Sequence, residues 1–193
     1  SGPLGRRDMF GQVVSRKLQA PRMRYRCSSC TEIHHGFPAL AYTLPDVIHA
    51  LSASEREKRA VVSSDLCILD DARHFVRCVL AVRVEGYSED LEYGPWVEIS
   101  AADFARYAIW FDLGVSPGWR SIAGRIANEF PGYASSTMGL ACRVMLPDEE
   151  DQRPDVVVTD GAHPLHAEQT RGISIVRATE LIASLKGIVL IID

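Results

Sequence analysis

Residues 61–100 read VVSSDLCILDDARHFVRCVLAVRVEGYSEDLEYGPWVEIS, and this stretch decides the fold. Positions 74, 76, 78, 80, 82 and 84 are mostly apolar and alternate with a set that includes three arginines. A period of two directs one set toward a core and the other toward solvent or a second layer. The run from Val62 to Ile68 alternates in the same way, and the polar residues Asp70-Asp71-Ala72 separate the two runs. We therefore expect a β-hairpin, with a third strand over Tyr93–Ile99.

Outside this stretch, capped helices are predicted to cover the sheet. Ser100 is a suitable N-cap with Asp103 in the first turn, and an apolar stripe follows. The residues of that stripe are Phe104, Tyr107, Ala108 and Phe111. Ser174 is predicted to cap a last helix, and residues 119–127 are compatible with either helix or strand. The fold class that results is α+β: a mainly antiparallel sheet with helices packed against it.

The length and charge of the chain limit its organisation. With 193 residues it is long enough for a single domain with a full core. Residues 1–26 carry a net charge of +6, whereas the remainder carries −10, within a total of −4. We interpret residues 1–22 as a tag remnant, Ser1-Gly2-Pro3-Leu4-Gly5, followed by a basic and poorly ordered leader. Residues 23–193 are predicted to be one α+β domain that begins with a CxxC knuckle.

The cell compartment can be inferred from what the sequence contains. No apolar run approaches the roughly 18 residues that cross a membrane, and no signal peptide is visible. The five cysteines are an odd number in a chain of this length. An odd count argues against a secreted disulfide scaffold and favours a reducing cytosol. We therefore expect a cytoplasmic protein with no membrane partner.

The strongest local chemical signal is Cys27-x-x-Cys30, with His34 and His35 close behind. Two thiolates on a tight turn can fill two corners of a tetrahedral zinc site, and an imidazole can fill a third. The fourth ligand would be His35, a distant side chain or water, since a second CxxC or CxxH pair is missing. The distant candidates are Cys67, Cys142 and His163. The alternative is a loop whose cysteines bind no metal.

A second candidate site lies in residues 159–169, where His163, His166 and Glu168 follow a predicted strand and an Asp-Gly turn. Three titratable groups this close together could form a catalytic or ligand site. The structural interpretation is that His163 caps a short helix through its ring, because Pro164 holds it in the extended conformation that an N-cap requires. We favour the cap, since no nucleophile or second carboxylate is nearby in sequence.

An ordered series of motifs resembles a known family. The series is YRCSSCTEIHHGFP, SSDLCILD, HFVRCVLAV, GPWVEIS, Gly118-Trp119, Pro131-Gly132-Tyr133 and DGAHPLHAEQTRGI. Together these motifs resemble the bacterial domain of unknown function numbered 2199, over about residues 25–185. The resemblance implies a small cytosolic bacterial protein with no established activity.

Three functional hypotheses remain open at this stage. The leading one is a non-catalytic binding or regulatory protein, for instance one that neutralises a toxin as an immunity protein does, acting through contact with a protein partner. The second is a zinc-dependent enzyme that uses Cys27, Cys30 and His34 with water at the open position. The third is a nucleic-acid binder that acts through the basic arm at 6–26.

Overall fold

The structure is a computed structural model, and it describes residues 23–27, 30, 32–113, 120–147, 152–184 and 188–191. The predicted leader at 1–22 lies outside the described residues. Within the described ranges the chain forms thirteen strands and five helices. The strands are β1 (Arg24–Cys27), β2 (Ile33–His35), β3 (Leu40–Ala41), β4 (Ala60–Val62), β5 (Leu66–Leu69), β6 (Arg73–Arg77), β7 (Leu80–Val82), β8 (Leu91–Gly94), β9 (Trp96–Ile99), β10 (Ser121–Ile126), β11 (Ala141–Met145), β12 (Asp155–Val158) and β13 (Ile188–Ile191). The helices are α1 (Asp46–His49), α2 (Ala53–Arg59), α3 (Ala101–Leu113), α4 (Pro164–Arg171) and α5 (Ile175–Ala183).

The described strands form three sheets and confirm the α+β class. A seven-stranded sheet has the order β12-β11-β10-β9-β6-β5-β4, and two three-stranded sheets have the orders β13-β1-β2 and β3-β8-β7. Neighbouring strands are antiparallel in the pairs described, apart from β3 with β8. No helix in the described ranges is long and apolar enough to cross a bilayer.

The predicted hairpin is present as β5 and β6, which pair antiparallel from Leu66↔Val76 to Leu69↔Arg73. Asp70 and Asp71 both have φ of 53°, the left-handed conformation that a tight hairpin turn of type I′ requires. Aspartate tolerates this conformation better than most residues. The polar turn in the sequence was therefore a correct signal for the hairpin.

Two predicted strands are each shorter than the sequence suggested. The run from His74 to Val84 breaks after Arg77 into β6 and β7, which belong to different sheets, and Tyr93–Ile99 breaks between β8 and β9. The breaks lie opposite each other, because the Cys78 N–H donates to the carbonyl of Pro95 at 2.9 Å. Pro95 has no N–H to return a second bond, so the ladder cannot continue as one sheet.

The seven-stranded sheet buries apolar side chains on both of its faces. Val76 and Val97 are cross-strand partners in the larger core cluster, whereas Phe75 and Trp96 belong to a second cluster with Ile48 of α1. All five of these side chains have no measurable exposure. Alternate side chains of β6 therefore pack into two different apolar layers. This explains why the apolar Phe75 lies between Arg73 and Arg77 in the alternating pattern.

Helix α3 begins as predicted, but its buried stripe differs. The Ser100 hydroxyl accepts the Asp103 N–H at 3.1 Å, which satisfies one of the free amides of the first turn. The buried aromatic residues are Phe104, Tyr107 and Trp110, whereas Phe111 is 44% exposed. The predicted place of Phe111 in the core is therefore wrong, and its ring is available at the surface. Residues 121–126, which the sequence left ambiguous, form β10.

Candidate functional site

The knuckle is built from the end of β1, the turn at Cys30 and the start of β2. Antiparallel pairing places Tyr25 opposite His34, and their rings stack with centroids 5.1 Å apart. The Cys30 Sγ lies 3.0 Å from Nε2 of His34. One ligand atom each from Cys30, Glu32 and His34 lies within 4.8 Å of the others. The structure thus brings two of the predicted ligands together and adds a carboxylate.

The other two predicted ligands are His35 and Cys27. His35 is exposed and follows His34 in the same strand, so its side chain projects from the opposite face of β2. The backbone of Cys27 ends β1, and continuing the β1–β2 register by one residue places it opposite Glu32. The side chain of Cys27 lies outside the described residues.

Glu32 is not among the ligands that the sequence analysis predicts, although the sequence contains a signal for it. Cys30, Glu32 and His34 are spaced by two residues, and an extended chain directs alternate side chains to one face. Thiolate, carboxylate and imidazole are all established zinc ligands, with bonds of about 2.0–2.3 Å. The donor set therefore fits zinc, and the exposed position of Cys30 and Glu32 leaves an entry path from solvent.

His163 is the N-cap of α4, as predicted. Its φ and ψ are −84° and 136°, its Nδ1 accepts the Leu165 N–H at 3.1 Å, and its Nε2 lies 3.2 Å from the carbonyl oxygen of Ser135. Because Nδ1 accepts a hydrogen bond and Nε2 faces a carbonyl oxygen, the ring proton is assigned to Nε2. Backbone groups thus engage both ring nitrogens of this buried histidine.

Glu168 belongs to a polar cluster that includes Tyr133, whose ring centroid lies 5.5 Å from that of His163. Its carboxylate accepts the Tyr133 hydroxyl at 2.6 Å and the Arg177 Nε–H at 2.7 Å, and its side chain is 16% exposed. The Arg177 guanidinium lies 5.2 Å from the centroid of the Tyr133 ring. Burial raises the pKa of Tyr133, and the neighbouring Glu168 carboxylate raises it further. We call Tyr133, His163, Glu168 and Arg177 the α4 cluster.

His166 lies between these two residues on α4 and is half-buried. Among the described residues, none forms a hydrogen bond with its ring. Of the three titratable groups predicted as a second site, His163 and Glu168 therefore meet at Tyr133, whereas His166 does not join them through a hydrogen bond among the described residues.

The distant cysteines do not reach the knuckle in the described part of the chain. Cys67, Cys78 and Cys142 are buried in the sheets, and burial raises the pKa of Cys67 and of Cys142 to about 12. Thiols of this kind stay protonated at neutral pH, whereas metal ligation and nucleophilic attack both need the thiolate. Their role in this structure is to pack as small apolar side chains.

A cleft of about 630 Å³ lies away from the knuckle, and sequence reasoning did not predict it. Its lining comes from four separate parts of the chain: Asp65, Val79, Tyr107, Phe111, Gln152, Arg153 and Asp155. Arg153 contacts Asp65 at 2.6 Å, which joins the loop before β12 to the loop before β5. The largest spacing between these segments is nearly ninety residues in sequence, so no local motif could reveal the cleft.

Comparison with protein-family models gives a match over residues 26–173 to the family described as an uncharacterised protein conserved in bacteria. The chain belongs to domain of unknown function 2199. The matched region of this family includes the knuckle, the cleft and α4, and it ends before α5 and β13. No curated protein and no solved structure matches the chain.

Proposed function

We propose that this family member is a non-catalytic binding protein of the bacterial cytoplasm, which regulates or neutralises a protein partner by contact. Its knuckle holds a structural zinc ion that keeps β1 and β2 in register. In this proposal the metal maintains a surface and carries out no reaction.

The observation that carries the proposal is the number of donors in the knuckle. Cys30, Glu32 and His34 already supply three ligand atoms within 4.8 Å of one another. In this proposal the Cys27 thiolate is the fourth donor, which the position of the Cys27 backbone at the end of β1, next to the Arg26↔Ile33 pair, supports. Four protein donors fill a tetrahedral zinc site, whereas catalytic zinc keeps one position open for water.

The other two hypotheses predict different observations. A zinc-dependent enzyme would use three of these ligands and would leave a position that small anions can enter. A nucleic-acid binder would depend on the arm at 6–26, of which the structure describes only residues 23–26, and its affinity would fall steeply with added salt. The −10 charge of residues 27–193 opposes a broad phosphate-binding surface on the body.

The first experiment measures metal content and coordination in the purified full chain. We expect close to one equivalent of zinc, which Cys30→Ser removes and which His35→Ala leaves in place as the matched control. After exchange for cobalt(II), the spectrum should show thiolate charge-transfer bands that added azide does not change. A spectrum that azide changes would favour the enzyme, and a folded protein without metal would overturn the zinc site.

The second experiment identifies the class of partner. Immobilised full chain is incubated with extract of the source bacterium, with and without nuclease, beside a variant that lacks residues 1–22. A discrete protein retained by both forms after nuclease treatment supports the proposal. Retained material that nuclease releases and that the truncated variant fails to bind would support the nucleic-acid hypothesis instead.

A further inference from the structure

Strands β10 and β11 leave one face of the seven-stranded sheet open to solvent. Their inward side chains, such as Ile122 and Cys142, are buried in the core, and the side chains between these project outward. The outward face contains a depression of about 510 Å³, which shares no lining residue with the cleft described above. We call this depression the outer groove, and its lining includes Glu98, Ala123, Arg125, Ala141, Arg143 and Thr159.

The outer groove arises because small and large side chains occupy neighbouring positions on this face. The register places Ala123 opposite Arg143 and Ala141 opposite Arg125. The two alanines therefore form a low floor that crosses both strands, and an arginine stands on either side of it. A floor of this kind allows the backbone of another chain to approach the sheet closely.

The two arginines turn away from each other. Arg125 donates from Nη1 to the carbonyl oxygen of Gly139 at 2.9 Å, just before β11 begins. Arg143 donates from Nε and Nη2 to the Ser121 hydroxyl oxygen at 3.1 and 2.8 Å, at the start of β10. A guanidinium has five N–H donors, so each arginine retains most of its donors for a ligand. Their acceptors in the described part of the chain are neutral.

The outer groove is positively charged, although the body of the protein is acidic. Glu98 is the cross-strand neighbour of Arg125, but both of its oxygens accept from Arg73, at 2.7 and 2.6 Å. Asp155 lies on the same face of β12, and no ion pair among the described residues joins it to Arg143. Arg125 and Arg143 therefore have no carboxylate at contact distance, whereas residues 27–193 carry a net charge of −10. Such a local concentration of positive charge attracts anionic groups.

We propose that the outer groove binds an extended segment of the partner protein that carries two acidic side chains, one for each arginine. Guanidinium and carboxylate groups match in shape and form paired charge-assisted hydrogen bonds. Diagonal neighbours such as Arg125 and Arg143 have Cβ atoms about 7–8 Å apart, and acidic residues two positions apart in an extended chain are separated by about 7 Å.

The spacing and the charge of the protein disfavour other anions. The arginines lean apart, so a single phosphate ion reaches only one of them. A nucleic-acid strand offers several phosphates, but the acidic body repels a polyanion over a larger area than it repels a short peptide segment. This inference rests on the proposed protein-binding function and specifies the chemistry of the partner.

The test uses the acetylated and amidated peptide Ala-Glu-Ala-Glu-Ala as the probe. The matched neutral probe replaces both glutamates by glutamine, and a short oligothymidylate tests the nucleic-acid alternative. Titration into the isotope-labelled full chain is followed by NMR. We expect saturating shifts at the backbone amides of Ala123, Ala141 and Thr159 with the glutamate peptide, and none with the glutamine peptide. Tighter binding of oligothymidylate at the same amides would overturn the proposal.

Variants assign the groove. Arg125→Gln and Arg143→Gln should each weaken binding of the glutamate peptide about threefold, and about tenfold together, as is usual for exposed ion pairs. Ala123→Leu should remove the shifts without changing any charge, because a larger side chain fills the floor. Arg83→Gln is the matched control, since Arg83 is also exposed and donates to a backbone carbonyl, that of Arg171 at 2.6 Å.

Three outcomes of these titrations would overturn the proposal. They are equal binding of the two peptides, an unchanged affinity in the double arginine variant, and an equal loss of affinity in Arg83→Gln. Melting temperatures of the variants confirm that each remains folded.

Failure of this inference is separable from failure of the proposed function. If the double arginine variant retains the natural protein partner as well as the unchanged chain does, this inference is removed and the proposed function stays intact. Glutamate-specific binding in the outer groove beside an azide-sensitive metal site would instead support the groove and reject the non-catalytic function.

Discussion

Glu168 and Asp155 are two carboxylates in very different surroundings. Glu168 accepts hydrogen bonds from Tyr133 and Arg177, so the α4 cluster completes its own polar groups. Asp155 has no such partner among the described residues, and burial raises its pKa. The knuckle is a third case, because Cys30, Glu32 and His34 converge at an exposed turn. The comparison separates polar groups that stabilise the fold through protein partners from polar groups that face solvent.

The largest effect is expected at Glu168. Glu168→Ala should lower the free energy of unfolding by about 2–3 kcal/mol, since the partly buried Arg177 guanidinium loses its nearer carboxylate and the Tyr133 hydroxyl loses its acceptor. Glu180 provides the control, because it also contacts Arg177, at 3.5 Å, but its side chain is 62% exposed. Glu180→Ala should cost less than about 0.5 kcal/mol. Urea denaturation measures both, and equal losses would contradict the distinction.

The second prediction concerns His163, the N-cap residue of α4 within the same cluster. His163→Ala should lower the free energy of unfolding by about 1–2 kcal/mol, because the Leu165 N–H and the Ser135 carbonyl both lose their partner. His163→Asn can still accept the Leu165 N–H and should recover part of the loss. A variant with normal stability but no partner binding would instead assign His163 to a functional site.

The effect of Cys30→Ser on stability should depend on whether the knuckle contains metal. In metal-free protein, Cys30→Ser should change the free energy of unfolding by less than about 0.5 kcal/mol, since the side chain is exposed. In the presence of zinc, the same substitution should lower the melting temperature, because metal binding adds to the stability of the folded state. Thermal unfolding with and without a chelator measures the difference. An equal effect under both conditions would show that Cys30 acts through packing alone.

Asp155 should show the smallest effect, and with the opposite sign. A carboxyl group whose pKa is higher in the folded state than in the unfolded chain favours folding when protonated, and this contribution is lost as pH rises through the folded pKa. Asp155→Asn should therefore stabilise the protein slightly at neutral pH, by only about a few tenths of a kcal/mol because the residue is exposed. The advantage should vanish as the pH is lowered below both values. A destabilised Asp155→Asn protein at neutral pH would show that the Asp155 carboxylate makes a stabilising contact within the protein, as Glu168 does.

Local signals in the sequence were sufficient for the elements that local interactions determine. The turn at Asp70-Asp71 and the caps at Ser100, His163 and Ser174 depend on residues within a few positions of each other. The strands divide between two sheets at Cys78 and Pro95 because these residues meet across neighbouring strands. The alternation of side chains along one strand does not predict this division. Helical spacing likewise cannot show whether Phe111 meets the core or solvent, because that depends on how far the core extends along α3.

The candidate sites follow the same rule. The knuckle lies within a dozen residues, so Cys30 and His34 were recognisable from their spacing, and the alternation that includes Glu32 was also visible. The cleft combines the loop before β5, Val79 between β6 and β7, one face of α3 and the segment that leads into β12. Only the folded chain brings these segments together.

The small sheet β13-β1-β2 has a consequence for the order in which the chain folds. The first described strand pairs with the last, from Arg24↔Ile191 to Cys27↔Ile188. During synthesis β1 emerges long before β13, so the knuckle has only β2 as a neighbour while the rest of the chain is translated. A two-stranded ribbon of this size is marginally stable in water. A metal ion captured at that stage would hold the ribbon together until its third strand leaves the ribosome.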